Sequence, residues 1–527
     1  MTTSTRPRSA GAERRVPTVP TRHQRAPRFS GPAWLDGPMT SAHLVFGAAG
    51  LLLIIGLVMV FSASSIEAAL AHEPAWAPGV QQVIWAVIGV GAMLVALRLP
   101  AGFLRRWSPI ALIAVAVMLL LVLVPFIGVK VNGARQWFDL GVAHLQPSEV
   151  GKLVFALWGA HVLALRERYM TTTSLLVPVV PVFGVLSLLL IAEPDFGAVV
   201  SLGLVLAGLL WGAGMPLRWF GWFLGAAAVM IVILIKAAPY RMARITSFLD
   251  PFADPTDGGF QAIRGMYALA TGGLWGVGLG NSAMKWNLLP HAESDYIFAI
   301  IGEELGFLGC LVVVTLYGVL AYAGFRIARR SADRFVQLSS VAITVWLIGQ
   351  AAMNMGYVVG LLPVTGVTLP LISAGGTSLV LTLFIVGLLA RFARSEPAAI
   401  EAQRGRERGR IARIFLPVPE SAVDPVRPRR RPEDRPSARP VVTGGRTVVR
   451  AHSGSPRKPG AEKSGLREPL SRQAPPRRGV PPTDGPTPPR ERIAPSRNRR
   501  PGEDAARAAG RRQSPPPGTP RRPGGQR

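Results

Sequence analysis

The segment PHAESDYIFAIIGEELGFLG, Pro290 to Gly309, sets Asp295, Glu303 and Glu304 where a long polar stretch runs into an apolar one. An acid at a membrane boundary is costly to desolvate and usually has a task. Asp295 admits two readings. It is either an acid favoured by the dipole at a helix start or a partly desolvated carboxylate suited to general-base work. Glu303 and Glu304 follow about two turns deeper. At least one of them must face the protein interior, which implies a polar cavity below Asp295.

Other candidate groups sit upstream. KVNGARQWF (130–138) and QPSEVGK (146–152) bring Arg135 beside Trp137, and Glu149 three residues before Lys152. Arg135 with Trp137 can grip a headgroup by charge and stacking, or serve as a snorkelling arginine in an aromatic belt. Glu149 and Lys152 share one helix face, and a lysine one turn into an apolar span needs a partner. Asp195, in EPDFG (193–197), is the natural one. A Lys152–Asp195 clasp that only joins helices and a catalytic role both remain open. The stretch YRMARITSFLDP (240–251) carries Arg244, and the glycines Gly272, Gly273, Gly276, Gly278 and Gly280 follow it. That run lacks the strand context and the Lys-Ser/Thr ending of a nucleotide loop, so it reads as a tightly packed or re-entrant segment. GLLPVTGVTLPLISAGGTS (360–378), with Pro370 and Ser373, reads as a broken segment lining the same cavity.

These groups must be positioned by helices. Ten apolar segments of about 18 residues or slightly fewer begin near Leu44, Val83, Pro109, Ser148, Leu175, Ala198, Trp219, Ile297, Val336 and Ser373. The first starts after some forty polar residues and has no cleavage site, so it reads as a span and not a signal peptide. The predicted class is all-α, a polytopic membrane protein with about ten transmembrane helices. A large extracellular loop, Ala237 to Glu293, joins the seventh and eighth. Arg98, Arg105, Arg106, Arg166, Arg168, Arg326, Arg329, Arg330 and Arg334 follow the even-numbered spans. The positive-inside rule therefore places both termini in the cytoplasm and the long loop outside.

Three regions follow: residues 1–42 as a disordered cytoplasmic tail, 43–394 as the membrane domain, and 395–527 as a disordered basic tail rich in Pro and Arg. The chain carries a formal net charge of +28, and from Ser395 onward 31 Lys and Arg stand against 13 acids. That tail suits anionic lipid or an acidic cytosolic partner. No base-reading pattern accompanies it, so nucleic acid is not expected. The sole cysteine, Cys310, excludes an intrachain disulfide.

Together these stretches resemble the SEDS family (shape, elongation, division and sporulation) of peptidoglycan glycosyltransferases, in family order over residues 43–394. VTLPLIS and the long basic tail look more like the family's division branch than its elongation branch. Two positions differ from the common pattern: His291 and Glu293 stand in exchanged order, and Ala374 replaces a usual tyrosine. The resemblance implies polymerisation of lipid II, an undecaprenyl-pyrophosphate-linked disaccharide pentapeptide, at the outer face of the plasma membrane, at the division septum. Asp295 falls on the family's essential aspartate, as general base on the acceptor 4-hydroxyl. Arg244, Arg135 and Lys152 are then candidates to stabilise the leaving pyrophosphate, with Glu149, Asp195, Ser373 and Pro370 around the substrate. A divalent cation, Mg or Mn, is compatible with that chemistry. The implied partners are a class B penicillin-binding transpeptidase, other divisome proteins and a cytosolic protein on the basic tail. A lipid flippase would use the same polar groups but needs them spread through the membrane depth; here they cluster at one end. A scaffold reading can coexist with catalysis.

Overall fold

The computed structural model describes residues 33–405, apart from 71, 132–133, 140, 142–143, 168–170, 237–247, 254, 256–258, 287–288 and 291. Each of the ten apolar segments becomes a helix. They are α1 (Thr40–Leu70), α2 (Ala77–Ala96), α3 (Ala101–Val122), α4 (Pro147–Leu165), α5 (Thr172–Ala192), α6 (Phe196–Gly212) and α7 (Leu217–Lys236). After α8 (Phe260–Gly272), which lies within the long loop, come α9 (Ile297–Arg330), α10 (Arg334–Val358) and α11 (Gly376–Arg394). Among the described residues, eight of these helices are long and apolar enough to cross a membrane, while α6 has only 17 residues.

Helix pairing follows from where small residues permit close approach. A Cβ on Gly208 of α6 would lie 2.9 Å from the Ala342 backbone of α10, and one on Gly387 of α11 would lie 2.5 Å from the Met93 carbonyl of α2. The helices α4, α9, α10 and α11 form the interior; 72% of the apolar window of α10 is buried, against 28% for α2, α3 and α5. The outer helices keep large apolar side chains exposed, such as Ile113, Leu188 and Val87. That is the pattern of a bundle whose solvent is lipid.

Two features depart from the expected architecture. The connection between α3 and α4 is not a plain loop but a three-stranded antiparallel sheet of β1 (Gly128–Val131), β2 (Ala134–Asp139) and β3 (His144–Leu145). The strands are only four, six and two residues long, too short to show a period-two pattern in the sequence. The ordered domain also runs past the expected boundary at Ser395. Helix α12 (Pro397–Arg404) buries Ala399, Ile400 and Gln403, and Gln403 pairs with Arg394 at the end of α11. Those three buried residues give too little periodicity to read in the sequence.

Candidate active site

Asp295 lies one residue before Tyr296, the N-cap of α9. Three successive carbonyls ahead of that helix are each held by groups from α10 and the segment after it. The Glu293 carbonyl accepts from Ala374 N at 2.9 Å, and the Ser294 carbonyl from Ser373 Oγ at 2.6 Å. The Asp295 carbonyl accepts from Asn354 Nδ2 and Tyr357 Oη, each at 2.9 Å. Ser373 Oγ also accepts from Leu369 N at 2.8 Å, Tyr317 Oη donates to the Pro370 carbonyl, and Gln82 of α2 bonds Ser373 O and Gly375 N. Of this irregular segment, 359–375, the later part from Val367 to Ser373 is largely buried in protein, as non-helical backbone within a bundle must be, while 359–363 and Gly366 stay exposed. Leu371 is held at a φ of 72°, a left-handed conformation that costs a leucine about 1–2 kcal/mol. Pro370 and Ser373 thus shape the backbone around Asp295.

A second cluster joins the starts of α4 and α6. Asp195 caps α6, accepting from Ala198 N at 2.9 Å, and it also accepts from Gln146 Nε2 at 2.9 Å and Ser148 Oγ at 3.3 Å. Lys152, 1% exposed, pairs with Glu149 at 2.7 Å; its Nζ also stands 3.5 Å from Gln350 Oε1 and 5.1 Å from the Trp346 ring centre. The expected direct Lys152–Asp195 clasp does not form, because Glu149 on the same helix face reaches the ammonium first. Lys152 acts on Asp195 only through its field, which lowers the acid's pKa; burial is the larger effect and leaves that pKa raised. Beside it, both carboxylate oxygens of fully buried Glu193 have no hydrogen-bond partner among the described residues, and burial, then the Asp195 charge, pushes its pKa up to about 8.

The two clusters meet along α10. Trp346, Gln350, Asn354 and Tyr357 fall on one helical face. Gln350 donates to the Thr368 carbonyl at 3.1 Å, and Asn354 to that of Val367 at 2.8 Å. From the other side, a Cβ on Gly197 of EPDFG would lie 2.8 Å from the Thr365 carbonyl. Segment 359–375 is therefore packed between Asp195's helix and Asp295.

Glu303 and Glu304 both face the interior, 0% and 1% exposed, as expected of at least one of them. Helix α9 is broken at Gly306, whose φ of 68° and ψ of −167° are not helical. The glycine run supplies the bonds the break removes: Val277 N to Glu303 O at 2.9 Å, Gly278 N to Glu304 O at 3.1 Å, and Phe307 N to Gly273 O at 2.8 Å. Glu303 accepts from Ser282 Oγ and from Ala283 N at 2.9 Å; Glu304 accepts from Ser62 Oγ of α1 at 2.6 Å and faces Lys285 at 3.5 Å. Both acids fasten the loop to the broken helix.

A family model described as a cell cycle protein, covering FtsW, RodA and SpoVE, matches residues 42–397. The chain belongs to this SEDS family. It is 44% identical over 463 residues to the "Probable peptidoglycan glycosyltransferase FtsW" of Mycobacterium tuberculosis, covering 87% of this chain and 86% of the relative. It is 39% identical over 352 residues to the stage V sporulation protein E of Bacillus subtilis, covering 65% and 94%. A solved structure described as "Structural coordination of polymerization and crosslinking by a peptidoglycan synthase complex" aligns with a TM-score of 0.56 at 26% identity, over 67% of this chain and 97% of that one. The rod shape determining protein RodA of Thermus thermophilus, at 24% identity and a TM-score of 0.51 over 69% and 99%, shares the fold. With eight helices among the described residues long and apolar enough to cross a membrane, this SEDS protein is a multi-pass membrane protein.

Of the residues singled out in the sequence, Glu149, Lys152 and Asp195 form one cluster, and Asp295, Pro370 and Ser373 form the adjoining one. Arg135 of β2 bonds the Leu123 carbonyl at the end of α3 at 3.2 Å, while its buried Nε has no hydrogen-bond partner among the described residues. Arg244 lies outside the described residues. The sequence reading missed Gln350, Asn354 and Tyr357, although two amides four apart and a tyrosine three further on were a signal in an otherwise apolar span. Among the described residues no three His, Cys, Asp or Glu side chains converge to hold a metal ion, so no step is assigned to one.

Proposed function

We infer that this chain is a peptidoglycan glycosyltransferase that polymerises lipid II into glycan strands for septal wall synthesis at the plasma membrane. The observation that carries this reading is the 44% identity across 87% of the chain to the mycobacterial protein of that name. The site supports it chemically. Asp295 is half-buried at a helix start, with its backbone fixed on three sides, as a general base must be if it is to meet its proton in one geometry. Asp295 takes the proton of the acceptor sugar 4-hydroxyl as that oxygen attacks the anomeric carbon, and the undecaprenyl pyrophosphate leaves. Arg135, with a nitrogen that has no hydrogen-bond partner among the described residues, and Arg244 are the candidates to meet the pyrophosphate charge. Lys152, already matched by Glu149, supports the site from within.

The active end faces outward and both termini lie in the cytoplasm. A class B penicillin-binding transpeptidase is the proposed partner, by analogy with the complex of polymerisation and crosslinking that the fold resembles. The deciding experiment is lipid II polymerisation by the purified chain with its transpeptidase, comparing wild type and Asp295→Ala at matched complex formation. Loss of glycan product with the complex intact supports the reading. Undiminished product removes Asp295 as the base, and no product even from wild type returns weight to transport or scaffolding.

A further inference from the structure

Asn354 and Tyr357 are buried polar groups of α10 that the chemistry assigned above does not use, 0% and 1% exposed. Three residues apart, they share one helix face. Asn354 Nδ2 lies 2.9 Å from the Asp295 carbonyl, 2.8 Å from the Val367 carbonyl and 2.6 Å from Tyr357 Oη. Tyr357 Oη lies 2.9 Å from each of the same two carbonyls. The pair has three protons, two on the amide and one on the hydroxyl, to share among these two carbonyls and the Tyr357 oxygen. Because carbonyls only accept, the amide nitrogen must face them, which leaves Asn354 Oδ1 buried with no hydrogen-bond partner among the described residues. An orphaned buried acceptor is a standing penalty on the folded state. An apolar residue there would remove that penalty but would also remove the bridge.

The bridge joins two particular peptides. One carries Asp295. The other, at Val367, adjoins Gly366, where an added Cβ would stand 3.6 Å from Asp295 Oδ2. Fixing both carbonyls to one pair of side chains fixes the start of α9 against segment 359–375. The ring of Tyr357 completes the fit, meeting that of Tyr296 edge-on at 5.7 Å.

We propose that Asn354 and Tyr357 are positioning residues for Asp295, a hydrogen-bond clamp that aims its carboxylate by holding its peptide. This rests on the reading of Asp295 as the general base. Tyr357→Phe keeps the ring packing and deletes only the hydroxyl, so it is the primary variant; Asn354→Ala is the second. Both are made in the full-length chain, in lipid nanodiscs with its transpeptidase, and assayed on the undecaprenyl-linked disaccharide. Tyr357→Phe is expected to lower kcat by roughly ten- to a hundredfold with KM changed less than about threefold, and to displace the acid limb of the kcat–pH profile. In an Asp295→Asn background, Tyr357→Phe should cause no further loss. Wild-type kcat with an unmoved acid limb in Tyr357→Phe overturns the clamp. So does a loss that only tracks the fraction of folded protein. If Asp295→Asn itself polymerises at the wild-type rate, the base assignment falls first and the clamp with it; an inactive Asp295→Asn beside an unaltered Tyr357→Phe sinks the clamp alone.

Discussion

Lys152 and Glu149 pair at 2.7 Å along one face of α4, so the ammonium is neutralised within its own helix and not by Asp195 across the helix gap. Lys152 is essentially inaccessible, while the Glu149 side chain is 19% exposed. Removing the acid alone strands a buried charge. Glu149→Gln should therefore destabilise the protein by about 3–5 kcal/mol, and Glu149→Gln with Lys152→Met should recover much of that loss. Thermal unfolding of the purified protein in detergent checks both. A double variant no more stable than the single one would mean that the Lys152 charge is compensated elsewhere.

Glu193 gives a pH dependence of known sign. Its carboxyl ordinarily titrates at 4.5 and is raised to about 8 in the fold by burial, then by the Asp195 charge. A raised acid favours the folded state most fully below its unfolded pKa, and the advantage is lost as pH rises through the folded value. Stability should accordingly decline between about pH 4.5 and 8 and level off above. Glu193→Gln should flatten that decline, measured as melting temperature against pH. An identical slope in the variant would assign the titration to another group.

The glycine run separates residues needed for conformation from those needed for contact. Gly276 and Gly280 both have left-handed φ, 80° and 83°, but a Cβ on Gly276 would lie 2.1 Å from the Glu304 carbonyl, whereas one on Gly280 meets nothing within 4 Å. Gly280→Ala should cost only the backbone term of about 1–2 kcal/mol. Gly276→Ala should exceed it clearly and lower the yield of folded protein, since the loop can no longer bond the broken helix. Equal melting temperatures for the two variants would contradict the packing.

Ser373 is bonded on two sides, donating to the Ser294 carbonyl and accepting from Leu369 N. Ser373→Ala leaves that amide buried without its partner, a loss of about 1–3 kcal/mol. Polymerisation should fall as well, because Ser294 precedes Asp295. Full activity with the stability loss intact would show that the Ser294 bond does not reach the carboxylate.

Periodicity and length made the helices legible, since each apolar run of the sequence became one. The acids at their ends were legible too, because a carboxylate beside a long apolar run stands out by its desolvation cost. What the sequence hid was pairing. On paper Asp195 was the natural partner for Lys152, yet Glu149, one turn back on the same helix face, takes that place. The interior position of Glu303 and Glu304 was legible, but nothing in their spacing announces the break at Gly306, or that Ser282, Lys285 and Ser62 would come to meet them. Asn354 and Tyr357 were overlooked because their role depends on backbone carbonyls, which every residue has and no sequence marks.

The break at Gly306 has a mechanical consequence. In an unbroken helix, a twist at the Arg330 end would turn the residues near Asp295 with it. Here the short half from Ile297 to Leu305 takes its lower bonds from the glycine run, and the long half begins again beyond the gap. The backbone hydrogen-bond ladder of α9 is therefore interrupted between Asp295 and the Arg330 end and carried sideways into the glycine run. The fixed contacts of the Asp295 peptide come from its lateral neighbour α10.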